Sequence, residues 1–256
     1  MTDYVHLFNL TGRAAVVTGA SGGIGKAIAL ALAAHGANVL AAGRNPEKTK
    51  QAAAEVAASG RRAVPFILEI TSRKSAEEMA AAATAEFGRI DILVNSAGMN
   101  IRNEILSIGD ADWDAVLTTN LKGVLYCCQA VGKRMIERSY GKIINISSIS
   151  SFLGHPARGA YAASKGGLIQ LTRVMATEWA PHHIMVNAIS PAAVDTPFID
   201  GLKKDRYRLD RELERIPMAR IATPEDVAGA AVFLASGASD FITGQNLFID
   251  GGRTVD

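Results

Sequence analysis

Short apolar runs alternate along this chain with longer amphipathic segments. The apolar runs predict strands at residues 14–17, 39–42, 64–70, 92–94, 143–146, 185–189 and 247–249. Helical spacing of apolar residues and helix-capping signals predict helices at 24–35, 46–59, 76–87, 113–138 and 161–179, and one beginning after Thr223. Asn45 suits the N-cap of the second helix and Pro46 its first position.

Strands that are apolar throughout and separated by helices indicate a parallel sheet covered on both faces. Because crossovers are right-handed, we expect an α/β, Rossmann-type, doubly wound parallel sheet of about seven strands. No linker or shift in composition divides the chain, so we expect a single domain over 1–256. The charged, irregular stretch at about 197–217 predicts a substrate lid. The ligand crevice of such a sheet lies at the carboxyl ends of the strands.

The composition narrows the class of protein. Apolar residues make up 48 % of the chain and charged residues 20 %, as in ordinary globular proteins. The net charge of +2 does not favour a nucleic-acid partner. No uncharged apolar stretch approaches the ~20 residues of a membrane span, and residues 1–10, with Asp3 and His6, lack a signal-peptide pattern. We therefore expect a cytoplasmic protein without a membrane partner.

The cysteines and histidines do not form a metal-binding motif. Cys127 and Cys128 are adjacent, so they cannot join distant segments, and we interpret them as small residues on a helix. The histidines are scattered, at positions 6, 35, 155, 182 and 183. We expect no metal requirement.

A glycine-rich turn, 18–25, follows the first predicted strand and opens the first helix. Glycines allow a tight turn and a close approach of a pyrophosphate, and the helix N-terminus favours negative charge. A tight turn also needs glycine for structural reasons alone. The strand–turn–helix context favours a nucleotide.

The second predicted strand ends in Gly43-Arg44-Asn45, where an acid would bind the ribose hydroxyl of NAD. With that acid absent, Arg44 predicts NADP(H) as the preferred cofactor and NAD(H) as a possible one, unless Arg44 is merely solvated. Small residues at 95–98, after the fourth strand, allow the nicotinamide half to lie close to the backbone.

Tyr161 and Lys165 lie four apart at the start of a predicted helix, on one face. A nearby ammonium lowers the pKa of a tyrosine, which suits it to acid–base work. Ser148 ends a predicted strand, where it can bond to a substrate oxygen or serve a turn. Asn120 in a long helix indicates a site role, a local distortion or an exposed side chain.

Together these motifs resemble the short-chain dehydrogenase/reductase family over essentially the whole chain. The resemblance rests on the glycine motif, residues 95–98, the tetrad Asn120, Ser148, Tyr161 and Lys165, the turn at Pro191-Ala192, Thr196, and the ending at 243–252. Gluconate 5-dehydrogenase-like and 3-oxoacyl-carrier-protein reductase-like members look most similar. Departures are Ser96 for a second Asn, Glu69 for an Asp, Ala192 for a Gly, and Gly22 where NADP-preferring members carry a basic residue.

The resemblance implies a set of cofactor contacts. They are Gly19, Ser21, Gly23, Ile24, Gly25, Arg44, Asn45, Glu69, Ile70, Asn95, Ala97, Gly98, Tyr161, Lys165, Pro191, Val194 and Thr196.

The resemblance also implies a mechanism and an assembly. Tyr161 would exchange a proton with the substrate oxygen, Ser148 would hold that oxygen, Lys165 would lower the pKa of Tyr161 and bind the ribose, and Asn120 would anchor a water. A homotetramer would pair the helices at 113–138 and 161–179. Their apolar residues include Val124, Leu125, Val131, Leu168, Leu171 and Val174.

The substrate remains open at this point. A small sugar acid or polyol, related to gluconate, is our leading prediction; the alternatives are a 3-oxoacyl-carrier-protein reductase and a silent nucleotide-binding regulator. Candidate substrate residues are Ser148, Arg102, His155 and Tyr161. The lid offers basic residues at 203, 204, 206, 208, 211 and 215, partly offset by acids, so a basic lid and a solvated helix are equally compatible with the sequence.

Overall fold

The computed structural model describes residues 4–255, so Asp3 lies outside the described residues. Seven parallel strands form one sheet in the order β3-β2-β1-β4-β5-β6-β7. The strands are β1 (Ala14–Thr18), β2 (Asn38–Gly43), β3 (Ala63–Ile67), β4 (Ile92–Asn95), β5 (Gly141–Ile146), β6 (Ile184–Pro191) and β7 (Asn246–Ile249). The predicted fold class is confirmed.

One predicted strand is too long. The strand expected at 64–70 is β3, which ends at Ile67. The chain leaves the sheet there because Glu69 accepts hydrogen bonds from Thr71 and Ser72, which form a turn. Ser72 then caps the next helix. The side of β3 away from β2 is an edge, which is where a strand tolerates Pro65.

Nine α-helices connect the strands within the described residues. They are α1 (Gly23–Ala34), α2 (Pro46–Ala57), α3 (Arg73–Phe87), α4 (Asp110–Leu117), α5 (Gly123–Glu137), α6 (Gly159–Trp179), α7 (Asp200–Lys203), α8 (Arg206–Leu213) and α9 (Pro224–Ala235). The predicted N-cap of α2 is confirmed, since Asn45 Oδ1 accepts from the Lys48 N–H at 3.0 Å. Thr223 caps α9 in a capping box with Asp226.

The predicted helix at 113–138 is not regular. It consists of α4, a π-helical turn at Thr118–Lys122, and α5. Asn120 lies in the middle of this widened turn and is completely buried. Of the explanations offered for this residue, the exposed side chain is therefore wrong and the local distortion is confirmed. Such turns often mark functional sites.

Both faces of the sheet are buried. Alternate residues of one strand enter different cores: Val17 packs with α1, α2 and α9, whereas Val16 packs with α3, α5 and α6. This two-sided burial is why the strands are apolar throughout. It also corrects one expectation, because Val124, Val131 and Leu168 are buried inside this chain and cannot form an intersubunit surface.

The winding of the chain reverses beside β1. From β1 the chain proceeds to β2 and β3 on one side, and then returns to β4 through β7 on the other. The loops after β1 and β4 therefore diverge and open a crevice at the carboxyl ends of the strands. In residues 4–255 no helix combines the length and apolar character needed to cross a membrane. No group of three His, Cys, Asp or Glu side chains in this range is placed to hold a metal ion.

Candidate active site

A cleft of about 550 Å³ lies at this crevice. The loops that follow β1, β2, β3, β4, β5 and β6 line it, the last of them reaching toward α9. Its volume is within the range of small-molecule and cofactor sites. The motifs found in the sequence thus converge on one cavity because the strands that precede them end at the same edge.

The glycine-rich turn forms one end of the cleft. Gly19 has a φ of +70°, and a Cβ there would lie 2.8 Å from the Ala97 backbone nitrogen. Thr18 Oγ1 accepts hydrogen bonds from the Ala97 and Ser96 N–H groups, so this turn is tied to the loop after β4. Gly22 precedes α1 without a side chain to cap it. The first turn of α1 therefore offers uncapped N–H groups, which suits a phosphate.

Two cations lie together beyond β2. Arg44 lines the cleft as predicted, and Lys48 lines it as well. The sequence analysis missed Lys48, although its place four residues after Arg44, in the first turn of α2, was a usable signal. Glu69 on the same wall accepts hydrogen bonds from Thr71 Oγ1 at 2.6 Å and Thr71 N at 3.1 Å. These bonds lower the pKa of Glu69 and hold its carboxylate in its own turn.

Packing explains why no acid stands at Gly43. A Cβ at this position would lie 2.5 Å from Thr49 Oγ1 and 3.1 Å from Ser21 Oγ. Thr49 is completely buried and cannot move aside cheaply. The end of β2 therefore has no room for the carboxylate that recognises the ribose hydroxyl of NAD.

Tyr161 and Lys165 lie side by side in the cleft. Lys165 Nζ is 5.7 Å from the centre of the Tyr161 ring and donates a 2.8 Å hydrogen bond to the Ile146 carbonyl. Burial lowers the pKa of Lys165 to about 8. Burial also raises the pKa of Tyr161, and a hydrogen bond with Ser148 and the charge of Arg158 offset this only in part. The net direction for Tyr161 is opposite to the one that the Tyr–Lys spacing predicts.

Ser148 is oriented by its own loop. Its Oγ accepts a hydrogen bond from the Ser150 N–H at 3.1 Å. Because that bond uses a lone pair, the Ser148 hydroxyl hydrogen is free to be donated into the cleft. His155 bonds through Nδ1 to Ser150 Oγ at 3.0 Å and does not line the cleft. The candidate substrate residue His155 thus lies behind the cleft wall, where it contacts Ser150, the residue that bonds to Ser148.

Asn120 lies under the cleft floor. Its Nδ2 donates to the Met99 carbonyl at 2.8 Å and to Ser164 Oγ at 3.1 Å, while its Oδ1 accepts from the Met99 N–H at 2.8 Å. Both amide hydrogens are used, so this side chain has none to give to a water. A Cβ on Gly98 would lie 3.3 Å from Asn120 Oδ1 and 3.6 Å from Lys165 Nζ. Asn120 and Lys165 therefore share the floor beneath Gly98.

Two further predicted contacts serve the scaffold. The Asn45 side chain caps α2, and the Asn95 amide donates to Asn145 Oδ1 and Cys128 Sγ beneath the sheet edge. Neither lines the cleft. The predicted residues that do line it are Gly19, Ser21, Gly23, Ile24, Gly25, Arg44, Glu69, Ile70, Ala97, Gly98, Arg102, Ser148, Tyr161, Lys165, Pro191, Val194 and Thr196.

Most charges of the segment 197–217 are paired locally. Lys203 bonds Asp195 at 2.7 Å and Asp200 at 3.0 Å. The lid arginines at 206 and 211 pair with acids one helical turn away, at 210 and 214. The residues that this segment presents to the cleft include Phe198, whose ring centre is 6.0 Å from that of Tyr161. The solvated helix therefore describes this segment better than a basic lid does.

This chain resembles known proteins over nearly its full length. The family model described as enoyl-(acyl carrier protein) reductase matches residues 19–254. The chain is 40 % identical to gluconate 5-dehydrogenase of Gluconobacter oxydans over 97 % of both chains. It is 42 % identical to D-threitol dehydrogenase of Mycolicibacterium smegmatis, covering 97 % of this chain and 95 % of that one.

One solved structure is similar to this chain over nearly its full length. The gluconate 5-dehydrogenase of Burkholderia cenocepacia, in complex with NADP and tartrate, superposes with a TM-score of 0.96. The sequence identity is 37 %, and the match covers 99 % of this chain and 100 % of that one.

Proposed function

This chain belongs to the short-chain dehydrogenase/reductase family, and we propose that it interconverts a secondary alcohol and a ketone in a sugar acid related to gluconate, with NADP(H) preferred. The observation that carries this proposal is the convergence of Ser148, Tyr161 and Lys165 in one cleft with the glycine-rich turn and Arg102. Family membership makes the chain an NAD(P)-dependent oxidoreductase acting on CH–OH groups. The silent regulator is thereby the weakest alternative.

The residues of the cleft fit a dinucleotide. The uncapped start of α1 suits the pyrophosphate, and the glycines at 19, 23 and 98 keep that path free of side chains. Lys165 Nζ lies beside Gly98, 3.6 Å from the position that a Cβ of Gly98 would take. At this place Lys165 would hold the ribose. When bound, the nicotinamide supplies or accepts the hydride.

Tyr161 and Ser148 carry the proton chemistry. In reduction, Tyr161 donates its hydroxyl proton to the carbonyl oxygen, and Ser148 donates a hydrogen bond to the same oxygen as negative charge develops on it. A tyrosine whose pKa burial raises is protonated at neutral pH, which suits it to the role of acid. In oxidation, the positive charges of Lys165 and Arg158 favour the tyrosinate that accepts the proton.

The cations beyond β2 support the preference for NADP(H). Arg44 and Lys48 can both pair with a 2′-phosphate. Gly43 has no room for an acid that would select NAD(H). The similar enzyme of Burkholderia cenocepacia was crystallised with NADP. NAD(H) is a possible second cofactor, because it lacks only the 2′-phosphate with which Arg44 and Lys48 would pair.

Two other substrate classes compete with the sugar acid. A neutral polyol is favoured by the similarity to D-threitol dehydrogenase. A 3-oxoacyl thioester on a carrier protein is favoured by the description of the matching family model. The guanidinium group of Arg102 in the cleft supports an anionic substrate over a neutral polyol.

Initial rates test the proposal directly. The parent enzyme is assayed with gluconate, D-threitol, 5-ketogluconate and an acetoacetyl thioester, each with both cofactors. We expect the highest kcat/KM for gluconate and 5-ketogluconate with NADP(H), and a loss of at least about 100-fold in Tyr161→Phe. Efficient reduction of the thioester without activity on the sugar acids would make the reductase alternative the correct one.

We also propose that residues 197–217 act as a substrate lid on the single domain. Phe198 places apolar surface beside Tyr161, Leu202 also lines the cleft, and Lys203 anchors the segment to Asp195. Closure would exclude water from the proton transfer. His155 would support the site indirectly, by positioning Ser150 behind Ser148.

A homotetramer in the cytoplasm completes the proposal. Leu125 and Leu171 are half-buried and Val174 is 44 % exposed, so α5 and α6 keep some apolar surface for another subunit. The two cysteines are free thiols, as is usual in a reducing compartment. Light scattering that reports a monomer at micromolar concentration would contradict the tetramer, and cell fractionation tests the compartment.

A further inference from the structure

Two loops of the cleft wall are joined to each other. A parallel β-bridge links Asn103, in the loop after β4, with Arg158, the residue before α6. Asn103 is held in turn by a 2.7 Å hydrogen bond from its Nδ2 to Asp112 Oδ2. This bridge brings Arg102 and Arg158 to adjacent places on the cleft wall, although they are far apart in the sequence.

Neither arginine is neutralised by the protein. Within residues 4–255, no carboxylate oxygen lies within 4.0 Å of either guanidinium group, and neither group donates a hydrogen bond. Burial lowers the pKa of Arg102, and the positive charges of Arg158 and Arg208 lower it further. Three cations therefore lie near one another. Glu212, on α8, also lines the cleft, and it is the acid whose charge acts on Arg102. An excess of positive charge therefore remains at this spot.

Arg158 also lies close to the reacting groups. It precedes Tyr161 by three residues, and its charge acts on the Tyr161 hydroxyl to lower the pKa. Ala157 before it has a φ of +57°, a left-handed conformation that is strained for alanine. Backbone strain of this kind clusters at active sites and ligand clamps.

We infer that Arg102 and Arg158 form a clamp for the carboxylate of the substrate. Each guanidinium group offers a planar pair of N–H donors that matches a carboxylate. The Glu212 carboxylate, which also lines the cleft, accepts hydrogen bonds from substrate hydroxyls and repels a second anionic group. The substrate class is therefore a polyhydroxy monocarboxylate. This inference rests on the proposed sugar-acid function and adds to it Arg158, which the sequence analysis did not single out.

A matched pair of substrates isolates the carboxylate. Gluconate and glucitol share a six-carbon skeleton, and glucitol carries a hydroxymethyl group where gluconate carries its carboxylate. We expect Arg158→Gln and Arg102→Gln each to lower kcat/KM for gluconate by about 10- to 100-fold, the value of hydrogen bonds to a charged group. The rate with glucitol should fall much less, and in Arg158→Gln only by the part that its charge contributes to the acid–base role of Tyr161. Arg158→Lys should restore part of the loss, since lysine keeps the charge but not the fork.

Two controls accompany these variants. Arg61→Gln removes an exposed arginine outside the cleft, and it should leave both rates unchanged. Gluconate is also titrated by calorimetry into the protein without cofactor, where no turnover can occur. The clamp variants should show the same loss of affinity there. Thermal unfolding of each variant establishes that it is folded.

The outcomes separate the clamp from the proposed function. Gluconate turnover that neither arginine variant alters, or equal losses with gluconate and glucitol, would overturn the clamp alone. Gluconate binding that Arg158→Gln abolishes, in a parent that does not oxidise gluconate, would support the clamp and overturn the proposed reaction. A parent that neither binds nor oxidises gluconate overturns both.

Discussion

The side-chain amide of Asn120 and the backbone of Met99 are joined by two reciprocal hydrogen bonds, each 2.8 Å long. They connect the π-helical turn at Thr118–Lys122 to the loop that carries Gly98. The same amide donates to Ser164, in the first turns of the helix that carries Tyr161 and Lys165. One buried side chain thus holds together three segments of the candidate active site.

Asn120→Ala should destabilise the protein because it leaves both Met99 backbone groups without their partners. We expect the free energy of unfolding to fall by about 2–4 kcal/mol, as for several lost hydrogen bonds to one buried group. Denaturant unfolding followed by fluorescence measures this difference. Asn120→Asp, which keeps an acceptor for Met99 N but loses both donors, should also destabilise the protein. An unchanged unfolding midpoint in both variants would contradict the role given to this amide.

Tyr161→Phe should lower kcat by about 100-fold to 10,000-fold, because only the proton-transferring hydroxyl is removed. The dissociation constant for NADP(H), measured by fluorescence titration, should be nearly unchanged. Ser148→Ala should cost about 100-fold or more, as for loss of a donor to a developing oxyanion. Near-normal turnover in Tyr161→Phe would disprove the proposed acid–base role.

Arg44→Ala and Lys48→Ala should each weaken NADP(H) binding and leave NAD(H) binding unchanged. Loss of one charged hydrogen-bonding partner predicts a decrease of about 10-fold or more in the affinity for NADP(H). The ratio of kcat/KM for the two cofactors and the two dissociation constants measure this. Arg61→Ala, an exposed arginine outside the cleft, is the matched control.

Gly43→Asp is unsuited to the same purpose. The acid would restore the NAD-type end of β2, but its Cβ would lie 2.5 Å from Thr49 Oγ1. We expect this variant to lose thermal stability. A stable Gly43→Asp variant with inverted cofactor preference would show that Thr49 can move and that our account of the packing is wrong.

The buried Lys165 should make stability depend on pH. Its pKa is about 8 in the folded protein and 10.5 in the unfolded chain, a difference that corresponds to about 3 kcal/mol. Between these values the unfolded chain keeps a proton that the folded protein has released, so the stability from this group rises with pH. The parent should therefore gain stability relative to Lys165→Met between pH 8 and 10.5. Urea unfolding of both proteins at pH 7.5, 9 and 10 tests this, and a constant difference would contradict it.

Local patterns determined much of the fold. Runs such as Ala14–Thr18 are apolar because both faces of the sheet are covered, and Asn45 and Thr223 cap helices through bonds to residues three positions away. These are short-range relationships, and a one-dimensional pattern contains them. β3 does not follow its local pattern, because it ends earlier than its apolar run. The hydrogen bond between the Thr71 and Glu69 side chains forms a turn there and takes the chain out of the sheet.

By itself, the sequence determined the doubly wound architecture, the family, and the positions of Ser148, Tyr161 and Lys165 at one edge of the sheet. Tertiary structure alone decided which side chains meet there. It placed Arg158 beside Arg102, brought Lys48 into the same cleft as Arg44, put His155 behind the cleft wall, and used both amide hydrogens of Asn120 within the scaffold. The physical reason is that contacts between segments distant in the chain depend on strand register, on loop closure and on the direction of each side chain, and no local periodicity of the sequence contains these quantities.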